Sequence, residues 1–264
     1  MTDKYDVNKI LILIFTLFIA SCGKVDQTTS PADSFPEATP ENYFNTASAI
    51  TLEVYYETGA EPYAGNRQNG QPLWQILDDN LEKAFSFRTR PPERNIPMDL
   101  ASMQEIKDSQ TSQWSADDVF ELHQKLALTK PSADHARFYI YFLNGNASSS
   151  NNVIGFSING TPIIAIFKNV IRNSGGFYVR RFVEQSTLVH EMGHALGLVN
   201  NGIPMQTNHQ DTENGSHTMN SDGVMYWQNE GAADMANFVA KYITSGETIM
   251  WCPEVLADLQ GFSN

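Results

Sequence analysis

Two kinds of hydrophobic pattern occur along the chain, one typical of strands and the other of helices. Runs of β-branched and aromatic residues with partial alternation predict strands. The strongest run reads A-R-F-Y-I-Y-F-L, and two shorter runs flank the sequence I-N-G-T, which predicts a hairpin. The predicted strands are Ser48–Glu57, Ala136–Leu143, Asn152–Ser157 and Thr161–Lys168.

Apolar residues at helical spacing predict helices in five segments. The second segment begins with S-A-D-D, in which a serine N-cap is followed by acidic residues that the helix dipole favours. The third contains two histidines four residues apart. The predicted helices are Leu73–Phe85, Ser115–Leu126, Val183–Leu196, Ala233–Tyr242 and Pro253–Gln260.

The N-terminus carries an apolar run, Ile10–Ala20, that follows Lys4 and Lys9. Such a run is too short to span a bilayer comfortably and is typical of a secretory signal. It ends in I-A-S-C, which resembles a bacterial lipobox, so residues 1–22 are predicted to be a lipoprotein signal peptide with lipid attached to Cys22. An uncleaved membrane anchor is the alternative. Both interpretations put the protein in a bacterial cell envelope, outside the cytoplasm and held at a membrane.

Composition divides the rest of the chain into a spacer and one domain. Residues 23–45 are rich in Ser, Thr, Pro and acidic residues, which predicts a flexible spacer. Residues 46–264 are enough for a single domain with its own core. The net charge of −13 argues against nucleic acid as a partner. Cys252 is the only cysteine besides Cys22, so no intramolecular disulfide is expected if Cys22 carries lipid.

The candidate chemistry is concentrated in the sequence V-H-E-M-G-H-A-L-G at residues 189–197. His190 and His194 lie about 40° apart around a helix, so both rings can bind one metal ion. The Glu191 carboxylate can reach a water molecule on that metal. The plain alternative is an amphipathic helix with two surface histidines. Apolar neighbours would bury these rings, however, and buried polar groups without partners are costly.

Gly197 suits the end of this helix, because glycine tolerates the positive φ of a C-cap. The resulting pattern, H-E-x-x-H-x-x-G, resembles the opening of the metzincin metallopeptidase signature. In metzincins a third His or Asp ligand follows three residues after the glycine. This chain has Asn200 there, and a neutral amide is a poor zinc ligand.

A second similarity suggests where the third ligand lies. Residues His217–Met225 read H-T-M-N-S-D-G-V-M, and the archaemetzincin branch of the metzincins has the same spacing between its third zinc histidine and its Met-turn methionine. Archaemetzincins have cysteines where this chain has Thr218 and Gly223. The resemblance implies that His217 completes a three-histidine Zn²⁺ site and that Met225 forms its apolar floor.

Three alternatives stay open around this site. His209 belongs to residues 201–215, whose polar composition suits an exposed insertion, and it is either the third ligand or a solvated loop histidine. Glu213 or Glu230 would be the last ligand in a gluzincin-like arrangement, which explains neither the glycine nor the methionine. Tyr226 is a candidate for binding an oxyanion, but the tyrosine of the family lies one residue further along.

The order of elements resembles the metzincin catalytic domain, which implies an α+β fold with a twisted mixed sheet behind the active-site helix. The resemblance also implies a zinc-dependent endopeptidase that acts on a peptide or protein substrate, with Glu191 as general base. Edge strands in such domains bind extended peptides, and the candidate here is Val153–Ser157. The alternative is a membrane-anchored zinc-binding or adhesion lipoprotein on a protease fold that no longer cleaves.

Overall fold

The computed structural model of the protein describes residues 30–126 and 128–263, so the predicted signal peptide and Cys22 lie outside the described residues. The strands are β1 (Ala49–Glu57), β2 (Glu93–Asn95), β3 (Gln104–Ile106), β4 (Gln113–Trp114), β5 (His135–Leu143), β6 (Asn146–Ala147), β7 (Gly155–Ser157) and β8 (Ile163–Phe167). The helices are α1 (Gln75–Phe85), α2 (Ala116–Leu126), α3 (Lys168–Arg172), α4 (Phe177–Leu196), α5 (Ala232–Ser245) and α6 (Pro253–Phe262). Across the described ranges, every helix is too short or too polar to cross a bilayer.

The main sheet has the order β2-β1-β5-β8-β7, and β3 also pairs with β1. All of these pairs are parallel except β7 with β8, which form the predicted hairpin. Val54 of β1 pairs with Ile140 of β5, which in turn pairs with Ile164 of β8. The predicted mixed sheet is confirmed. Strand β7 is its edge, and both β7 and β8 contact α4.

Both faces of β5 are covered, as a buried parallel strand requires. On one face Phe142 contacts Trp74, which directly precedes α1, and α1 contacts α4. On the other face Tyr139 and Tyr141 contact the ring of His123 in α2. The sheet therefore lies between α2 on one side and α1 with α4 on the other, which gives α4 a rigid support.

Helix α4 is longer than the sequence predicts, because it begins at Phe177 rather than at Val183. Its N-cap, Gly176, makes no side-chain cap. Its first residues, F-Y-V-R-R-F, include aromatic and β-branched residues of modest helix propensity. The local sequence therefore does not predict where the helix begins. The other four predicted helices are confirmed, with small shifts at their ends.

The predicted flexible spacer at residues 23–45 is wrong from residue 31 onward. Two short helical turns form there, Pro31–Ser34 and Asn42–Thr46. Phe35 and Phe44 are only 5% and 0% exposed, so this segment belongs to the core. Its isolated apolar residues have no periodicity, which is why composition alone suggests a spacer. The folded domain therefore begins well before residue 46.

Candidate metal centre

Helix α4 presents His190 and His194 toward one point, and its end allows the chain to return there. Gly197 follows the helix with a φ of 88°, as predicted for the C-cap. A Cβ atom at this glycine would lie 2.6 Å from Cγ of Pro40, so space as well as conformation requires glycine. The chain beyond this turn brings His217 to the two helix histidines.

The three histidine rings converge through their Nε2 atoms. The distance is 3.2 Å from His194 to His190, 3.2 Å from His194 to His217, and 3.3 Å from His217 to His190. Zn–N bonds of about 2.0–2.1 Å in a tetrahedral site separate two ligand nitrogens by about 3.3 Å. The triangle of nitrogens therefore has the size that one zinc ion requires.

The opposite nitrogens of two rings fix the side on which the lone pairs lie. Nδ1 of His190 is 2.7 Å from the carbonyl oxygen of Val224, and Nδ1 of His217 is 2.6 Å from that of Asn214. A carbonyl oxygen only accepts, so each Nδ1 donates a proton and each neutral ring has its lone pair on Nε2. These lone pairs face one another, an arrangement that a cation stabilises. The donor set fits zinc in chemistry as well as in size.

Burial keeps the two helix histidines in the neutral form that binds metal. Desolvation, together with the nearby His217, lowers the pKa of His190 to about 4. The pKa of His194 is well below its ordinary value, mainly because of burial and secondly because of the neighbouring histidines. Neither ring has to lose a proton near neutral pH before it binds a metal ion.

Glu191 lies at the same centre with a buried carboxyl group that is 4% exposed. Burial and repulsion from Glu230 raise its pKa to about 8, and a hydrogen bond from the backbone of Ser157 opposes this rise. A bound cation would favour the carboxylate and lower this pKa again. Without a cation the group is therefore mostly protonated at neutral pH, and a bound cation shifts it toward the carboxylate.

Glu230 is a fourth possible ligand. Its Oε1 atom lies 3.3 Å from Nε2 of His217, and the donor atoms of His190, His194, His217 and Glu230 all lie within 4.8 Å of one another. Burial alone would lower the pKa of His217, but the Glu230 carboxylate and the Asn214 carbonyl raise it above its ordinary value. From the sequence Glu230 is only the least favoured alternative, because a gluzincin-like arrangement leaves Gly197 and Met225 unexplained.

The cluster opens into a hollow of about 300 Å³ between the edge strand and the loop that carries His217. Strand β7 forms one wall, residues 214–217 form the other, and Glu191 lies within the lining. The predicted edge strand is confirmed over Gly155–Ser157. An extended chain in this hollow would lie beside both the edge strand of the sheet and the histidines.

Met225 is fully buried beneath α4, at the level of the two helix histidines. A Cβ atom on Gly193 would lie 2.4 Å from Sδ of Met225 and 3.2 Å from Cζ3 of Trp251. The glycine between the two histidines therefore makes room for the methionine. Sequence reasoning leaves Gly193 unexplained, although a glycine inside a helix signals a close approach.

Other candidates from the sequence lie apart from this cluster. His209 is buried rather than solvated, and its Nε2 and Nδ1 atoms lie 2.7 Å from Asp258 and 3.0 Å from Thr218. Among the described residues, the grouping of possible metal ligands does not include His209 or Glu213. Asn200 donates its side-chain amide to Gln210. Tyr226 lines a different hollow from Glu191, so it is not set to bind an oxyanion at the histidines.

No protein-family model and no curated protein matches the chain. The archaemetzincin of Methanopyrus kandleri has a similar structure, with a TM-score of 0.45, 14% identity, and coverage of 81% of this chain and 96% of that one. A zinc-dependent peptidase from Methanocorpusculum labreanum has a TM-score of 0.47 and 13% identity, with coverage of 80% and 100%. The archaemetzincin of Archaeoglobus fulgidus, complexed with malonate, has a TM-score of 0.40 and 14% identity, with coverage of 79% and 99%. At these values the likeness assigns neither a reaction nor a ligand to this chain.

Proposed function

We propose that the protein is a zinc-dependent endopeptidase in which His190, His194 and His217 bind the metal and Glu191 is the general base. The observation that carries the proposal is the triangle of Nε2 atoms, 3.2–3.3 Å on each side, next to a buried carboxyl group. A structural histidine cluster has no need of such a carboxyl group. Its burial is costly unless it is used.

Held by the three histidines, a zinc ion would supply Lewis-acid chemistry, polarising a substrate carbonyl and lowering the pKa of a water molecule. Glu191 accepts the proton of the attacking water at a carboxylate oxygen and then passes it to the leaving amine. The backbone of Ser157 in β7 favours the charged form of this group, since it lowers the pKa of Glu191 against the effect of burial. The Val224 and Asn214 carbonyl oxygens keep two of the rings oriented through Nδ1.

The substrate is an extended peptide that lies along β7. This strand is the antiparallel edge of the sheet and lines the hollow that contains Glu191. Backbone pairing with an edge strand binds a peptide largely independently of its side chains. It would also hold the scissile carbonyl in one orientation above the histidines.

The test combines metal analysis with a cleavage assay on the folded protein. We expect about one zinc ion per chain and cleavage of a quenched peptide that a chelator abolishes and zinc restores. The Glu191→Gln variant should retain zinc and lose about 10²–10⁴-fold in kcat. Full activity of that variant would show that Glu191 is not the general base. Zinc-loaded wild-type protein that cleaves no peptide of a broad library would instead favour the non-catalytic zinc-binding or adhesion lipoprotein.

A further inference from the structure

Glu230 differs from the three histidines of the cluster in its exposure. Its side chain is 51% exposed, whereas that of His217 is 7% exposed and His190 is buried. Its carboxylate nevertheless lies 3.3 Å from a histidine nitrogen, among four donor atoms that are mutually within 4.8 Å. Of the four, Glu230 has the side chain that can leave without disturbing the core.

The contact between Glu230 and His217 requires a positive charge between the two groups, which either a proton on His217 or a metal ion supplies. His217 donates its Nδ1 proton to the Asn214 carbonyl, so the neutral ring directs a lone pair from Nε2 at the Glu230 carboxylate. Two electron-pair donors repel at this distance unless a proton or a metal ion lies between them. One metal ion satisfies this pair together with the other two histidines.

The backbone around Glu230 is held firmly. Glu230 ends the short helical turn Trp227–Glu230, and its carbonyl oxygen accepts a hydrogen bond of 3.3 Å from Ile154. The preceding residue, Asn229, is buried and donates its side-chain amide to the carbonyl oxygen of Val224 at 3.0 Å. Motion at this position is therefore left to the side chain of Glu230.

We propose that Glu230 is a displaceable fourth zinc ligand, a role that rests on the proposed function. Three imidazoles and a carboxylate complete the four-coordination that is typical of closed, structural zinc sites, whereas catalysis requires an open position. Glu230 lines the same hollow as β7 and Glu191, so a peptide that enters along β7 meets it. The resting site is closed by Glu230, and the substrate opens it by displacing this side chain.

The test compares Glu230→Gln and Glu230→Asp with the control Glu213→Gln, which changes an exposed acid outside the cluster. Glu230→Asp keeps the negative charge but shortens the side chain. It therefore distinguishes direct binding of the metal by the carboxylate from long-range attraction by its charge. We expect both Glu230 variants to bind zinc about tenfold more weakly in competition with a chelator. Both should also alter the visible spectrum of the Co²⁺-substituted protein and raise kcat/KM above that of the wild type. The control should match the wild type in all three measurements.

Unchanged zinc affinity with an unchanged Co²⁺ spectrum in both Glu230 variants would overturn the proposal. A kcat/KM below that of the wild type would overturn displacement, because it would mean that the carboxylate serves the reaction. Failure of the proposed function has a different signature. In that case the wild type cleaves no peptide and Glu191→Gln changes nothing, while zinc affinity and the Co²⁺ spectrum still test ligation by Glu230.

Discussion

Two buried histidine sites adjoin in this molecule, and they differ in where their ring nitrogens point. In the metal centre, His190 and His217 each use one nitrogen on a carbonyl oxygen and direct the other at neighbouring histidines. In the second site, His209 has a partner on both nitrogens, at 2.7 Å from Asp258 and 3.0 Å from Thr218. The first site leaves ring lone pairs that can bind a metal ion. In the second, both ring nitrogens of His209 already have hydrogen-bonding partners, and we call it the saturated site.

The comparison shows that burial alone does not distinguish a metal ligand from a structural histidine, since His209 and His217 are 5% and 6% exposed. The distinction lies in the second nitrogen. The two sites are also connected, because the backbone carbonyl oxygen of His209 accepts a hydrogen bond of 2.8 Å from the N–H of Met219, and the His209 ring contacts Thr218, the residue after His217. The saturated site thus anchors the segment that carries His217, the proposed third ligand.

Removing a ring from each site should give the largest difference. We expect His217→Ala to abolish equimolar zinc binding, because two imidazoles and an exposed carboxylate leave the metal weakly held. His209→Ala should retain one zinc ion per chain. The measurement is zinc content after dialysis, with the Tm recorded with and without added zinc.

The same pair of variants can contradict the assignment. Added zinc should raise the Tm of His209→Ala, because a ligand that binds only the folded state stabilises it. It should not raise the Tm of His217→Ala. Loss of zinc from folded His209→Ala, with zinc retained by His217→Ala, would mean that His209 is the third ligand and that His217 is the structural histidine.

The next effect concerns stability at the saturated site. The side chains of His209 and Asp258 are 6% and 1% exposed, so Asp258→Ala leaves a buried ring without its partner. We expect a loss of about 1–3 kcal/mol in the free energy of unfolding, because a buried donor is left without its acceptor, with zinc stoichiometry unchanged. Chemical denaturation of the zinc-loaded protein measures it.

A matched control is the exposed pair Glu121 and Lys125, whose side chains are 65% and 73% exposed. Lys125→Ala should change stability by no more than about 1 kcal/mol, because surface ion pairs contribute little. Equal losses from Asp258→Ala and Lys125→Ala would mean that the buried pair does not hold α6 against the loop that carries His209.

The sequence predicts most of the fold, because strong local patterns coincide with the elements that form. Strand β1 is rich in β-branched and aromatic residues with partial alternation, β5 ends in a continuous apolar run, and the turn at Gly160 has the positive φ of 71° that its sequence suggests. The failures lie where local pattern is weak. Residues 31–46 acquire their structure from packing against distant residues such as Phe138, which contacts Tyr43. The early part of α4 is tied to a distant loop, because Arg181 donates hydrogen bonds to the carbonyl oxygens of Ala64 and Asn66.

The sequence predicts only those parts of the site whose residues lie close together along the chain. The spacing of His190 and His194 follows from helix geometry, and the glycine that ends the helix follows from its conformation. Glu230, the Asp258 partner of His209, and the reason for Gly193 depend on contacts over tens of residues. A single sequence contains no period or spacing that reports such contacts.

The smallest effect concerns Gly193, which lies between the two helix ligands. Gly193→Ala would put a methyl group 2.4 Å from Sδ of Met225, so the buried methionine must shift. Overpacking of this kind costs about 1–3 kcal/mol, partly offset by the higher helix propensity of alanine. We also expect weaker zinc binding, because the neighbouring Val224 holds the ring of His190. Denaturation and chelator competition measure the two losses.

A double-mutant cycle with Met225→Ala tests whether the methionine is the cause. With that side chain truncated, the methyl group of Gly193→Ala has space, and the remaining contact is with Trp251 at 3.2 Å. The substitution should then become neutral or stabilise by up to about 1 kcal/mol, the propensity difference between alanine and glycine. An undiminished loss in the Met225→Ala background would assign the close approach to Trp251. In either case the saturated site at His209 should keep its contribution to stability, since the three atoms nearest to a Cβ at Gly193 belong to Met225 and Trp251 and not to the site of His209.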